Sequence, residues 1–562
     1  MAAAIAVVFM EAPLVAATLS TVLGKELPPD NLRNARKTLF QALLEVRARV
    51  GGNRPAIVDG DGTVATYDKL VMASLALGHA LRKGTAAGEA VGIMLPTCLG
   101  ATVAFFALSA FGRIPTMLNF STGAAGVQSA LRAAKVARIV TSRKFIDLAK
   151  LDDLVAEISG TAELVYLEDV KENLTVIDKA FAATGKIAPD FITRSMTSRL
   201  AANLWARLAG KQHAFDRPAE ILFTSGTEGE PKGVALSHYN ILVNVEQASV
   251  HVALYSEDVM FNALPMFHCF GLNTGVILPL MLGFKTVLHP TPLQPKEISR
   301  RIREAGATIL ITTDTFMSQY IRAGDDGDMN SLRIVACGAE RVRDETRQAM
   351  RRKTGIEILE GYGVTEAAPL AAINQPPANH SGTIGHLLPG MEARLEPVEG
   401  IPGAGRMFIR GPNIMLGYIR PDQPGVIQPP KDGWHDTGDV VHIDHDGFIS
   451  IKGRLKRFAK IGGEAVSLAV VENCASALWP DFCHAAITLP DGRKGEQIVL
   501  LTTNPEADRI DLVGWAQNHG VPELAVPKRI ISVDDIPVLG TGKIDYVRVE
   551  KMALAAKPAA GG

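Results

Sequence analysis

The residues best suited to chemistry in this chain form a run of ten, TSGTEGEPKG, from Thr224 to Gly233. Its three glycines let the backbone fold tightly and turn amide groups inward. Thr224, Ser225 and Thr227 add hydroxyl donors and Lys232 a positive charge, which together make a phosphate cradle. The spacing of Gly226, Gly229 and Lys232 is not that of a Walker A loop, and in isolation such a turn would equally serve as a structural hairpin. Further along, EGYGVTEAAP (Glu360 to Pro369) offers Tyr362 for stacking on a base and places the Thr365 hydroxyl beside the Glu366 carboxylate. A carboxylate beside a phosphate cradle is repelled unless a metal bridges the two, so Glu366 is the magnesium candidate. In WHDTGDVV (Trp434 to Val441), Asp439 suits two vicinal ribose hydroxyls, and Arg454 suits the same sugar or a phosphate. Last, PVLGTGKIDY (Pro537 to Tyr546) sets Lys543 behind two glycines on a tight loop.

These groups need a large frame. A chain of 562 residues predicts about two to four domains and a sizeable core. Lysine and arginine number 58 against 59 acids, so no global field draws the chain to nucleic acid, and any charged partner must dock locally. Five dispersed cysteines argue against a disulfide framework or a cysteine zinc site and fit a reducing cytoplasm. From Ala56 onward, short β-rich runs (AIVDG, AVGIML, ARIVT, AELVYL) alternate with longer alanine- and leucine-rich stretches such as Tyr67 to Leu81. The alternation resumes after Asp216 with ILFT, a helix opening at Ser237, KTVLH, SRRIREAGA, TILIT and LRIVACG. The pattern predicts an α/β fold with two doubly wound layers. Between Gly390 and Ile451 it changes to short strands broken by glycine and proline, a small β subdomain. Mixed strands and a helix near Asp511 to Asn518 then make a small α+β domain. The domains expected are a leader at 1–35, an N-terminal domain at 36–453, a mobile C-terminal domain at 454–552 and a disordered tail at 553–562.

Two segments raise the question of a membrane. Met1 to Leu23 carries only Glu11 as charge, but Glu11 and Pro13 cut it into runs too short to span a bilayer, leaving a bland leader or a shallow interfacial contact. From Phe191 to Lys211, apolar residues recur every four positions with Arg194, Arg199 and Arg207 interleaved. That pattern fits a packed surface helix or one lying at the inner membrane surface.

In order and content the four motifs resemble the adenylate-forming superfamily of acyl-CoA synthetases, peptide-synthetase adenylation domains and luciferases, over residues from about 36 to 552. ILFTSGTEGEPKG, ILEGYGVTEAAP, GRLKRFAKIGGEAVSL and HGVPELAVP resemble most the acyl-acyl-carrier-protein synthetase half of a bifunctional 2-acylglycerophosphoethanolamine acyltransferase, without its acyltransferase motif. The resemblance implies a cytoplasmic ligase with two half-reactions. A fatty carboxylate attacks the α-phosphate of ATP, and a phosphopantetheine thiol then displaces AMP from the acyl-adenylate. Lys543 would bridge carboxylate and α-phosphate, and Thr224, Ser225, Gly226, Thr227, Gly229 and Lys232 would hold the outer phosphates with magnesium on Glu366. Tyr362 and the Gly338-Ala339-Glu340 turn would flank the adenine, Gly363 and Thr365 would also bind the nucleotide, and Asp439 and Arg454 would hold the ribose. His268, as a bare residue in the apolar PMFHCFG, reads as a core histidine; the resemblance puts it at the acyl pocket entrance, with Gly271 to Leu282 lining the tunnel. Lys456 would be the hinge about which the small domain turns.

The acceptor is acyl carrier protein or CoA. IKGRLKRFAK (451–460) holds five basic groups and no acid, and Lys528-Arg529 adds to them; such a patch suits an acidic carrier protein, the CoA phosphates or a plain solvated face. The subgroup resemblance and the patch together favour the carrier protein. Rival readings are a non-catalytic acyl or nucleotide sensor and an aryl or amino acid activator. Asp545-Tyr546 departs from the basic residues that many relatives carry after the lysine.

Overall fold

The computed structural model describes residues 21–187, 213–225, 231–461, 464–491, 495–519, 521–538 and 544–556. The amphipathic stretch 191–211, most of the leader and the last six residues lie outside them. Among the described residues no helix is long and apolar enough to cross a membrane.

Two large mixed sheets carry the N-terminal part. One has nine strands whose parallel centre runs Ile358–Gly363, Ile334–Cys337, Ile309–Thr312, Val259–Asn262, Lys285–Leu288 and Pro55–Val58. The other has eight, with a parallel centre of Pro218–Ser225, Ile114–Met117, Ala90–Ile93, Arg138–Thr141 and Glu163–Tyr166. The central strands Ala90–Ile93, Val259–Asn262 and Ile309–Thr312 are short and buried on both faces, as parallel strands covered by helices are. The helix Tyr67–Leu81 shows why the helices form where they do. Thr66 caps it by accepting from Lys69 N at 3.3 Å, and Leu70, Val71, Ser74, Leu75 and Gly78 give it a continuous buried face. A Cβ on Gly78 would lie 2.5 Å from the Ala107 carbonyl, so the glycine permits the close crossing with Leu99–Ala110.

The β subdomain differs from expectation in one respect. Glu392–Pro397, Gly405–Arg410, His435–Ile443 and Ile449–Arg454 do form a separate antiparallel sheet. Gly417–Arg420 and Gln423–Gln428 instead extend the eight-stranded sheet, because Gly417–Ile419 pairs with Gly233–Ala235. Within the stretch read as a leader, Thr21–Leu23 is the edge strand of the separate sheet, opposite Glu392–Arg394, and Ala35 is buried. The small C-terminal part has its own five-stranded sheet and its own apolar cores. Its last helix, Tyr546–Ala555, runs three residues into the stretch expected to be disordered, since Ala553 packs into the second of those cores.

Candidate active site

The cradle sequence links two strands that pair with each other. Pro218–Ser225 and Pro231–Ser237 pair antiparallel with Thr224 opposite Lys232 and Ser225 opposite Pro231. Gly226, Thr227 and Gly229, between these strands in sequence, lie outside the described residues. The second strand feeds the helix His238–His251 through a capping box, Asn240 N donating to Ser237 Oγ at 3.0 Å and Ser237 N to Asn240 Oδ1 at 2.9 Å.

Beside the hairpin, Tyr418 sits opposite Val234 on the neighbouring strand. Lys232 Nζ lies 5.6 Å from the centre of its ring and the Arg420 guanidinium 5.8 Å, within reach of a cation–π attraction. The Tyr418 hydroxyl donates to Glu366 Oε1 at 2.5 Å. Burial, then the Glu366 carboxylate, pushes that hydroxyl well above the usual tyrosine range, so it remains a donor. Glu366 itself is buried on the short turn Thr365–Ala367, whose position is fixed by Met415 N donating to Glu366 O at 2.8 Å. No ion pair reaches it among the described residues. A buried carboxylate with one hydroxyl donor and no cation of its own has the chemistry of a magnesium ligand.

A second knot lies on the separate β sheet. Asp439 and Arg454 are cross-strand partners, with Arg454 Nε 3.0 Å from Asp439 Oδ1. The other carboxylate oxygen accepts from the Tyr362 hydroxyl at 2.5 Å. The three residues singled out for the nucleoside therefore meet at one carboxylate, with Tyr362 contributing its hydroxyl as well as its ring.

The Gly338-Ala339-Glu340 turn follows the strand Ile334–Cys337, with Ala339 at a φ of +68°. A Cβ on Gly338 would lie 3.4 Å from both the Gly361 carbonyl and the Phe270 ring, so this turn, the Tyr362 strand and the region after His268 converge. Glu340 turns its carboxylate to the start of the helix Asp314–Ala323, accepting from Thr315 N at 3.1 Å and Thr315 Oγ1 at 2.8 Å. His268 is half-buried, and its Nδ1 accepts from Phe270 N at 3.4 Å. The apolar run after it is π-helical from Phe270 to Ile277, a geometry that concentrates at functional sites.

That π-helix has a polar anchor. Asn273 Nδ2 donates to Glu220 Oε1 at 2.8 Å and lies 3.4 Å from the Ala368 carbonyl, joining the hairpin strand, the π-helix and the Glu366 turn. Glu220 is wholly buried, and burial raises its carboxyl to about 8. Glu220 Oε2 and Asn273 Oδ1 have no partner among the described residues. A proton on Glu220 supplies the one donor that both oxygens lack.

Lys456 is exposed on the turn Leu455–Arg457, between the last strand of the β subdomain and the first strand of the C-terminal sheet. Two of the five basic groups around it are already paired. Arg454 holds Asp439, and Arg457 Nη2 lies 2.8 Å from Glu472 Oε1. Lys528 is likewise 2.6 Å from Asp491. Among the described residues the unpaired basic groups of this run thus reduce to Lys452, Lys456 and Lys460. Lys543 lies outside the described residues, but its flanks are fixed: Val538 bridges to Ile544, and Asp545 N donates to Pro537 O at 2.8 Å.

A family model described as AMP-binding enzyme matches residues 44–419, about two thirds of the chain. The chain belongs to the AMP-binding enzyme family. Among its relatives, a long-chain-fatty-acid–CoA ligase of Salmonella typhimurium is 28% identical over 538 residues, covering 90% of this chain and 93% of that one. A medium-chain fatty-acid–CoA ligase of Escherichia coli is 26% identical over 519 residues, covering 90% and 88%. In fold the chain is similar to ATP-bound MatB from Rhodopseudomonas palustris, with a TM-score of 0.74 and 22% identity over 92% of this chain and 99% of that one.

In this AMP-binding enzyme Thr224 and Lys232 lie on the paired strands, Tyr362 and Glu366 on the strand–turn from Ile358 to Ala367, and Asp439 and Arg454 on the β subdomain, while Gly338–Glu340 and His268 lie on other segments and Lys543 lies outside the described residues. Sequence reasoning missed Tyr418, the Glu220–Asn273 pair and the partners of Arg457. Only Tyr418 left a signal, as an aromatic in the alternating run MLGYIR.

Proposed function

We propose that the chain activates a medium- or long-chain fatty acid with ATP and transfers the acyl group to the thiol of CoA. The observation that carries this is the pairing of two unlike carboxylates. Glu366 is buried without a cation beside the phosphate hairpin, and Asp439 is neutralised by Arg454 beside Tyr362. The names of the fatty-acid–CoA ligases above support the substrate and the acceptor.

Adenylate formation places charge on the pentavalent α-phosphate and on departing pyrophosphate, so it needs positioned cations and amides rather than a proton-transfer pair. Thr224, Lys232 and the backbone of the hairpin turn would hold the outer phosphates, and Glu366 would hold magnesium, which supplies charge neutralisation there. Lys543 would bridge the attacking carboxylate and the α-phosphate. Asp439 and Arg454 would take the ribose hydroxyls, and Tyr362 with Gly338–Glu340 the base. His268 and the π-helix would border the acyl chain. Turning about Lys456 would then withdraw Lys543 and admit the thiol.

Acyl carrier protein, the acceptor favoured from the sequence, becomes the second reading, supported by the three lysines around position 456 that are unpaired among the described residues and suit electrostatic docking. Palmitate or octanoate, ATP and magnesium are supplied with either CoA or holo-acyl-carrier protein. Faster thioester formation on CoA is expected, and preferential loading of the carrier protein reverses the assignment. Pyrophosphate exchange that is absent in the wild type, or unchanged in Lys543→Ala, would instead point to a sensor that binds without catalysing.

A further inference from the structure

The first side chain beyond the hinge and the first residue of the helix after Lys543 are in contact. The Arg457 guanidinium carbon lies 3.6 Å from the centre of the Tyr546 ring, a stacked cation–π geometry. The same guanidinium lies 2.8 Å from Glu472 Oε1 through Nη2 and donates through Nη1 to the Ala486 carbonyl at 2.9 Å. The Tyr546 hydroxyl donates to Glu472 Oε1 at 3.0 Å. Ala486 N donates to that oxygen at 2.8 Å, so Glu472 gathers a cation, a hydroxyl and an amide. Arg457 and Glu472 are both largely buried, with side chains 19% and 16% exposed. Asp545 caps the helix Tyr546–Ala555 by accepting from Arg548 N, which fixes where Tyr546 begins.

We propose that Arg457, Glu472 and Tyr546 form a clamp that positions Lys543 by tying Tyr546, three residues after it in the chain, to the residue next to the pivot. Any turn about Lys456 is then carried to the start of the helix Tyr546–Ala555. The three are positioning residues, three to several dozen positions from the lysine in sequence, and they act on the first half-reaction alone. The inference rests on the role given to Lys543 above.

The test separates the half-reactions. ATP–pyrophosphate exchange reports adenylate formation, and thioester formation from synthetic acyl-adenylate and CoA reports the second step. Arg457→Gln should lower exchange about 100-fold, the scale of a misplacement near 1 Å, with the fatty acid KM and the second step unchanged. Tyr546→Phe, which keeps the ring and loses the hydroxyl, should lower exchange about tenfold. Arg457→Gln combined with Tyr546→Arg should recover most of the loss, because the cation returns to Glu472 from the other side. Wild-type exchange in Arg457→Gln, a parallel fall in both steps, or no recovery in the double variant overturns the clamp. Should Arg457→Gln fail to fold, exchange and thioester rates of Tyr546→Phe decide alone. Lys543→Ala is run alongside. If it exchanges normally, the role of the lysine is wrong; if it is dead while the clamp variants are normal, only the clamp is.

Discussion

Asp439 and Glu366 are both buried carboxylates of the candidate site, yet they are neutralised in opposite ways. Asp439 faces its counter-ion on the next strand and takes a tyrosine hydroxyl on its other oxygen, so its charge is spent before any ligand arrives. Such a group can orient neutral hydroxyls at little desolvation cost. Among the described residues Glu366 receives only the Tyr418 hydroxyl, and the nearby Lys232 and Arg420 address the ring of that tyrosine rather than the carboxylate. Its charge is left for an incoming cation. Glu220 is a third solution: with neither cation nor solvent, it is neutralised by a proton. Burial alone therefore does not assign a role to a carboxylate; the identity of its neutralising partner does.

Substitutions can break this contrast. Glu366→Gln removes charge without volume and should cost the most, about 100- to 1,000-fold in pyrophosphate exchange, with a higher magnesium requirement in a titration of rate against metal. Asp439→Asn strands Arg454 and should raise the KM for ATP about 10- to 100-fold while kcat falls less; an effect on kcat alone would place Asp439 in the chemical step. Tyr418→Phe leaves Glu366 charged but unoriented, and about a tenfold loss in exchange at limiting magnesium, relieved at high magnesium, is expected.

The smallest effect on rate belongs to Glu220→Gln, whose amide supplies the missing donor permanently, so exchange at neutral pH should stay within about twofold. Its signature is in stability. The Glu220 carboxyl rises from an ordinary value near 4.5 to about 8 in the fold. Between those values the unfolded chain releases a proton that the folded chain keeps, so this contribution is complete below pH 4.5, falls as pH rises toward 8 and is level above. The limiting slope is about 1.4 kcal/mol per pH unit. Denaturant midpoints of wild type and Glu220→Gln should agree near pH 4 and separate by pH 8, with the variant the more stable.

How much of this was visible in the chain depends on sequence distance. The hairpin was legible because its glycines and proline interrupt two apolar β runs, and Asp439 and Arg454 because both sit at recognisable positions of short alternating strands. The meeting of Tyr418 with Glu366, of Glu220 with Asn273 and of Arg457 with Tyr546 joins residues 52, 53 and 89 positions apart, and no local period encodes such encounters. The strands Gly417–Arg420 and Gln423–Gln428 were assigned to the wrong sheet for the same reason. An antiparallel edge reads alike whichever neighbour it joins. The basic run around Lys456 was overread, since sequence counts charges but does not show that Arg454 and Arg457 are already paired with carboxylates.

The edge pairing of Thr21–Leu23 with Glu392–Arg394 sets a timetable for biosynthesis. The first strand leaves the ribosome long before its partner, and at roughly 5–20 residues per second the delay is roughly 20 to 70 seconds. Until then an apolar N-terminal stretch has no sheet to join. An unpaired strand of a nascent chain is open to misassociation, and Thr21–Leu23 stays so for that whole interval.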